Sequence, residues 1–165
     1  MTTDEYAHWK GLEIRRPDDV RTIPGGPVPL RWQAEKRGEH TDRLGNNLLP
    51  ADFPHEVERG DAGDALAALA LGESMRRDLG YERAGRVRTA MELGATWSAV
   101  AAALEVTPDE AREVLRAWAT SQRHLYEGDV LEGRERPFGL DADGYAAVLA
   151  VCELADDETA VVGAR

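Results

Sequence analysis

The stretch Trp97-Ser98-Ala99-Val100-Ala101-Ala102-Ala103-Leu104-Glu105-Val106-Thr107-Pro108-Asp109-Glu110-Ala111-Arg112-Glu113-Val114 decides the fold. Thr96 precedes it and suits a helix cap, because its hydroxyl can accept a first-turn backbone N–H. A short helix is expected over residues 97–104. Thr107 caps a second helix, and Pro108 takes the first helical position, where no N–H is needed. Glu110, three residues after Thr107, completes a capping box. This helix is expected to reach about Ser121, with Ala111, Val114, Leu115 and Trp118 as its inward stripe. Two short helices can cross at a tight turn only if their contact residues are small and well placed. Val100 and Ala101 lie midway along the first helix, Leu104 closes it, and Val106 must point inward from the turn. Ala111 and Val114 face back from the second. A large side chain at Ala101 would push the two apart.

Upstream, residues 61–93 read as two helices. Asp64 is expected to cap one over 65–79, with Leu66, Leu69, Ala70 and Glu73 at partly helical spacing and Gly80 as its stop. The other spans 81–93 and ends at Gly94, with Ala84, Val87, Ala90 and Met91 on its apolar face. Residues 1–60 show poor periodicity. Trp9, Leu12 and Ile14 suit a short strand or a turn. Pro24-Gly25-Gly26-Pro27-Val28-Pro29 cannot be helical, and Gly45-Asn46-Asn47, Pro50 and Pro54 break the chain again. An irregular arm is expected there, docked through Trp9, Trp32, Leu48, Leu49 and Phe53. Past Gly128, residues 134–139 read as a linker. Asp141 starts a last helix through Leu154, with Tyr145, Val148, Leu149 and Cys152 on one face. The expectation is an all-α protein: a small helical bundle with a helix-turn-helix, flanked by an irregular N-terminal arm and an acidic C-terminal helix. Its segments are the arm 1–60, a helical core 61–126 with the helix-turn-helix at 97–121, and the linker and last helix at 127–165.

The segment from Trp97 to Val114 resembles the helix-turn-helix of bacterial regulators. It is similar to the last region of sigma factors and to the wider tri-helical group. The resemblance runs over residues 85–121. In that pattern the fifth residue is small (Ala101), and the fourth, eighth and tenth are apolar (Val100, Leu104, Val106). The fifteenth and eighteenth point inward (Ala111, Val114). Glu105 departs from the glycine the family prefers at a turn position that often has positive φ. The wording Gly94-Ala95-Thr96-Trp97-Ser98-Ala99-Val100 also resembles helix-turn-helix proteins of high-GC bacteria. The resemblance implies a second helix that enters the major groove of DNA. It would present Thr107, Pro108, Asp109, Arg112, Glu113 and Arg116. Arg112 and Arg116, one turn apart, would contact guanine or phosphate, and Thr107 a phosphate. Arg83 and Arg86 on the preceding helix would rest on the DNA backbone, with Arg76, Arg77 and Arg88 nearby in sequence.

The same residues also read as a self-neutralised face. Asp109 and Arg112, and Glu113 and Arg116, are spaced to pair, and Glu82 and Glu92 are partners for Arg83, Arg86 and Arg88. The net charge of −11 repels nucleic acid at long range. It is unevenly placed: residues 127–165 hold three basic and ten acidic side chains, so this segment carries most of the excess. The competing function is therefore a protein-interaction module, with the acidic segment binding a partner, mimicking DNA or blocking the protein's own basic face. The DNA reading expects a dimer, because lone units make few contacts. The last helix would supply the dimer surface or cap the monomer core.

Other chemistry is not expected. His8, His40, His55 and His124 are far apart and lack metal spacing, so neither metal nor cofactor is expected. Gly25-Gly26 lacks the lysine and helix of a phosphate loop. The adjacent acids Asp18-Asp19 and Asp156-Asp157 are not the opposed pair of acid–base catalysis, so no catalytic residue and no enzyme is expected. Cys152 stands alone on an apolar face, which suits a core position and a reducing cytoplasm. No leader is expected at Met1-Thr2-Thr3-Asp4-Glu5, and no apolar run approaches the ~18 residues of a membrane span.

Overall fold

The computed structural model describes residues 3–21 and 28–160. Among them the elements are six α-helices and one 3-10 helix, with no strand. In chain order they are α1 (Thr3–Gly11), the 3-10 helix (Pro17–Arg21), α2 (Leu30–Asn46), α3 (Ala62–Glu92), α4 (Trp97–Leu104), α5 (Pro108–Leu131) and α6 (Ala142–Cys152). The protein is all-α, as its composition and spacing predict. The chain divides after Gly80 into two compact units. No helix among the described residues is long and apolar enough to cross a membrane.

Residues 1–60 depart from the expected irregular arm. They hold α1, the 3-10 helix and α2, and their side chains build a core of their own. Trp9, Ile14, Val20, Val28 and Trp32 are buried together with Ala67, Ala70 and Leu71 of α3. The helical period is obscured because α2 buries polar side chains beside Trp32, namely Gln33 and Lys36. Lys36 Nζ donates to the carbonyls of Trp9 and Lys10, each at 2.9 Å. These are last-turn carbonyls of α1, and Trp9 O also accepts the Leu12 N–H at 3.2 Å; a cation there also favours the helix dipole. Burial pushes the Lys36 pKa down. The chain between α2 and α3 is irregular, as Pro50 and Pro54 require. Of the side chains expected to dock, Trp9 and Trp32 are buried, but Leu48 is 90% exposed. The reading of Pro24-Gly25-Gly26-Pro27 falls outside the described residues.

The expected break at Gly80 is absent. A glycine ends a helix by turning left-handed, and the positive-φ glycines among the described residues are Gly94, Gly133 and Gly139. Gly80 keeps helical geometry, so the two expected helices are one, α3. Its cap also shifts. Asp61 Oδ1 accepts the Asp64 N–H and Asp64 Oδ2 accepts the Asp61 N–H, each at 3.0 Å. Asp61 is thus the cap and Asp64 the answering third residue of a reciprocal box. The first half of α3 buries Ala67, Ala70, Leu71 and Ser74, while Leu66 and Leu69 are exposed. The buried face thus runs through Ala67, Leu71 and Ser74 and keeps the expected Ala70, but leaves out the expected Leu66 and Leu69. The second half buries Ala84, Val87 and Met91, all on the expected face.

The second unit is built around α4 and α5. Trp97, Val100, Ala101, Ala111, Leu115 and Ala119 form its core with Val87, Met91, Val148 and Cys152. Leu104, Val106, Val114 and Trp118 pack against this cluster and are partly buried. α5 runs ten residues past the expected end at Ser121. Arg123 and Glu127 pair one turn apart at 2.9 Å, and the helix stops only at a glycine closure. There Gly133 N–H donates to Val130 O and Arg134 N–H to Asp129 O, both at 3.0 Å, with φ 75° at Gly133. This is a Schellman arrangement, and α3 ends in the same way at Gly94. α6 packs on α5, with Val148 and Cys152 buried and Tyr145 against the same cluster. Its apolar face therefore covers the core of its own unit, and the acids of the last segment lie mainly outside the helix.

Candidate nucleic-acid interface and its acidic cover

α4 begins at Thr96, whose hydroxyl accepts the Ala99 N–H at 3.2 Å. The chain leaves the helix through Glu105 at φ 54° and ψ 44°. Glu105 is the one non-glycine with positive φ among the described residues. That conformation is one that favours glycine. Val106 N–H donates to Ala101 O at 3.1 Å and closes the turn. Thr107 then caps α5: its Oγ1 accepts the Glu110 N–H at 3.2 Å, and Glu110 Oε2 accepts the Thr107 N–H at 2.8 Å. That backbone bond holds the Glu110 carboxyl below its usual pKa. Val100, Ala101 and Ala111 are buried at the helix contact, with Leu104, Val106 and Val114 around them.

Each side chain proposed from sequence for DNA now has a definite surrounding. Thr107 is exposed, but its hydroxyl belongs to the cap. Arg112, expected on the reading face, is 8% exposed. Its Nη1 donates to Asp109 Oδ1 at 3.0 Å. Its Nη2 donates to Leu154 O at 2.9 Å and to Asp156 Oδ1 at 2.6 Å. The guanidinium lies 5.5 Å from the centre of the Trp97 ring. The Asp156 carboxylate beside it raises its pKa. Arg116 is half-exposed and donates to Glu153 Oε1 at 3.1 Å and, at 3.4 Å, to Cys152 O. The expected Asp109–Arg112 pair is present, but Arg116 takes Glu153 as its ion-pair partner rather than Glu113.

These contacts have one architectural cause. α6 ends at Cys152 and leaves carbonyls with no helical partner. Trp97 Nε1 donates to Val151 O at 3.0 Å, while Arg116 and Arg112 reach Cys152 O and Leu154 O. Cations and an indole N–H therefore close the C-terminal end of α6, where the helix dipole favours positive charge. Beyond it the chain crosses to the start of α4. Ser98 N–H donates to Asp156 O at 2.9 Å, and Ser98 Oγ donates to Asp157 Oδ1 at 2.8 Å. The structure thus brings Arg112 and Arg116 together against residues 151–157, with Arg112 buried there and Arg116 half-exposed.

Arg83 and Arg86 lie outside this network, on α3. Arg86 is exposed and pairs with Glu82 at 3.3 Å. Arg83 is exposed and has no ion pair among the described residues. Arg88 pairs with Glu92 at 2.7 Å and lies 5.6 Å from the Trp118 ring centre. Arg76 and Arg77 both bond Glu73, and these guanidiniums hold its carboxyl down at about 2.

Sequence reasoning missed Ser98, Glu153, Asp156 and Asp157 as partners of the α4–α5 pair. Their signal is the run of acids after an apolar helix, which the sequence offers as a cover for the basic face without showing which acid meets which donor. It also missed a polar cluster in the first unit. Asp64 Oδ1 lies 2.7 Å from His40 Nδ1 and accepts from Arg43 Nε at 2.8 Å. These bonds, Arg43 foremost, hold Asp64 well below the carboxylate range. The i, i+4, i+7 spacing of Lys36, His40 and Arg43 places all three on one face of α2. They line a polar cavity of about 410 Å³ with Lys10, Arg15 and Glu39. Lys10, Arg15 and Arg43 are each paired to carboxylates there. Among the described residues no group of three or more His, Cys, Asp or Glu is placed to hold a metal. Cys152 is buried in the core, which raises its thiol pKa. Comparison with family models, curated proteins and solved structures gives no match for this chain.

Proposed function

We propose that the protein is a non-enzymatic DNA-binding regulator of transcription or replication, with α5 as the helix offered to the major groove. The observation that carries this reading is the turn at Glu105. It joins the short α4 to the long α5, which pack through Ala101, Val106 and Ala111, and leaves the capped start of α5 exposed at Thr107, Asp109 and Glu110. Half-exposed Arg116 and exposed Arg83 and Arg86 supply cations for phosphate. A second copy would double these contacts.

The test is fluorescence anisotropy of a labelled random duplex at low salt. The full chain is expected to bind with a dissociation constant on the order of 10⁻⁵ M, weakening steeply as salt rises. Arg83→Ala with Arg86→Ala is expected to weaken binding and flatten the salt slope by about two charges. Absence of binding at low salt, both by the full chain and by a chain without the acids that follow α6, would reject the reading.

One observation favours a second reading. The first turns of α5 expose acids, and the Asp109 side chain is 94% exposed. Such a surface suits a basic protein partner, and a protein-interaction module is then the function. Capture of a polycationic peptide, lost on Asp109→Asn with Glu113→Gln, together with no DNA binding, would favour it.

A further inference from the structure

We infer that residues 153–157 form an autoinhibitory strap, which occupies with carboxylates and carbonyls the positions that DNA phosphates would take on α4 and α5. The inference rests on the DNA reading above and adds the regulation of that site.

The contacts are those an anion would make. Ser98 is the second residue of α4, and its N–H is one of the donors a helix start leaves open. Helix starts of this kind bind phosphate oxygens. Here the Asp156 carbonyl takes that N–H and the Asp157 carboxylate takes the Ser98 hydroxyl. Arg112, which would reach guanine or phosphate, is held by the Asp156 carboxylate, and Arg116 by Glu153. Three acids, 153, 156 and 157, thus meet three donors on the two helices proposed to face DNA. This exceeds what closing α6 requires, because the Val151, Cys152 and Leu154 carbonyls would do that without any acid.

The strap is also built to leave. α6 is anchored upstream of it by Val148 and Cys152, which are buried. The acids themselves are largely in solvent, with side-chain exposures of 76% for Glu153 and 53% for Asp156. The Glu153–Arg116 pair is exposed, and such pairs are weak and screened by salt; the Asp156–Arg112 pair, with its guanidinium buried, is screened less. A polyanion competes for the same cations, so binding DNA and opening the strap are coupled, and each opposes the other reciprocally.

The test compares DNA affinity at low salt for the full chain, Asp156→Asn/Asp157→Asn, and a charge control, Glu132→Gln/Glu135→Gln. Both double variants change net charge equally. The strap variant is expected to bind on the order of tenfold tighter, with faster amide exchange at Ser98, while the control stays within about twofold. Equal affinity gains in both variants would mean that net charge alone acts, and would overturn the strap while leaving DNA binding standing. An unchanged strap variant would overturn it too. If neither the full chain nor the strap variant binds DNA, the DNA reading has failed and the inhibition falls with it.

Discussion

Glu105 holds a left-handed conformation for which its side chain is poorly suited, at φ 54°. Among the described residues both other closures of this type, at Gly94 and Gly133, use glycine. Relief of the Cβ crowding outweighs the added freedom glycine brings to the unfolded chain. Glu105→Gly is therefore expected to stabilise the second unit by about 0.5–1 kcal/mol, seen as a higher urea midpoint at unchanged slope. A lower midpoint would show that Glu105 makes a compensating contact. Asp64 sets a pH dependence in the first unit. Its pKa is held below the ordinary 3.8 by Arg43, then by His40 and the Asp61 N–H. A lowered folded pKa means stability that is complete above the ordinary value and is lost as pH falls below it. Wild type should thus exceed Asp64→Asn in unfolding free energy at neutral pH. That gap should shrink as the pH drops through 3.8 toward the folded value. A gap that stays constant down to about pH 2 would contradict the assignment.

At the scale of elements, the helix ends and the small contacts decide the arrangement. Gly139, at φ 93°, brings the loop after α5 onto that helix, where Leu140 N–H donates to Gln122 O at 3.2 Å. A Cβ at Gly139 would collide with that same carbonyl, which is helix backbone and cannot yield cheaply. Asp129 fastens the other part of the loop, accepting the Phe138 N–H at 2.8 Å and pairing with Arg134 at 3.0 Å. Gly139→Ala should cost roughly 2 kcal/mol or more, measured by urea unfolding. Ala101, at 3% exposure, sits where α4 meets α5. Ala101→Leu should cost about 1–3 kcal/mol through overpacking, and loss of the α4–α5 contact should show as faster exchange of the Val106 amide.

Those elements were unequally legible in the sequence. The bounds of α4 and the start of α5 followed from Thr96, Thr107, Pro108 and Glu110, because capping is local chemistry. α2 was not legible, since it turns Gln33 and Lys36 into the core, where a polar residue carries no hydrophobic period. Its lysine is buried only because α1 offers carbonyls to it, a tertiary fact. Gly80 looked like a stop, but a glycine ends a helix only where the chain after it turns away. The burial of Arg112 was equally hidden. Its pairing with Asp109 is local, while its bonds to Leu154 and Asp156 join residues more than forty positions apart.

At the scale of the whole molecule, charge is unevenly placed along the chain. Most of the excess negative charge lies beyond residue 126, and part of it is folded onto the two helices proposed to face DNA. The account rests most heavily on those helices being the face that meets DNA. Backbone amide shifts of the labelled full chain, titrated with a random duplex at low salt, test this directly. The account predicts perturbations concentrated at Ser98, from Thr107 through Arg116, around Arg83 and Arg86, and at residues 153–157 as the strap leaves. Perturbations confined to residues 3–60, or none at duplex concentrations above about 10⁻⁴ M, would contradict it.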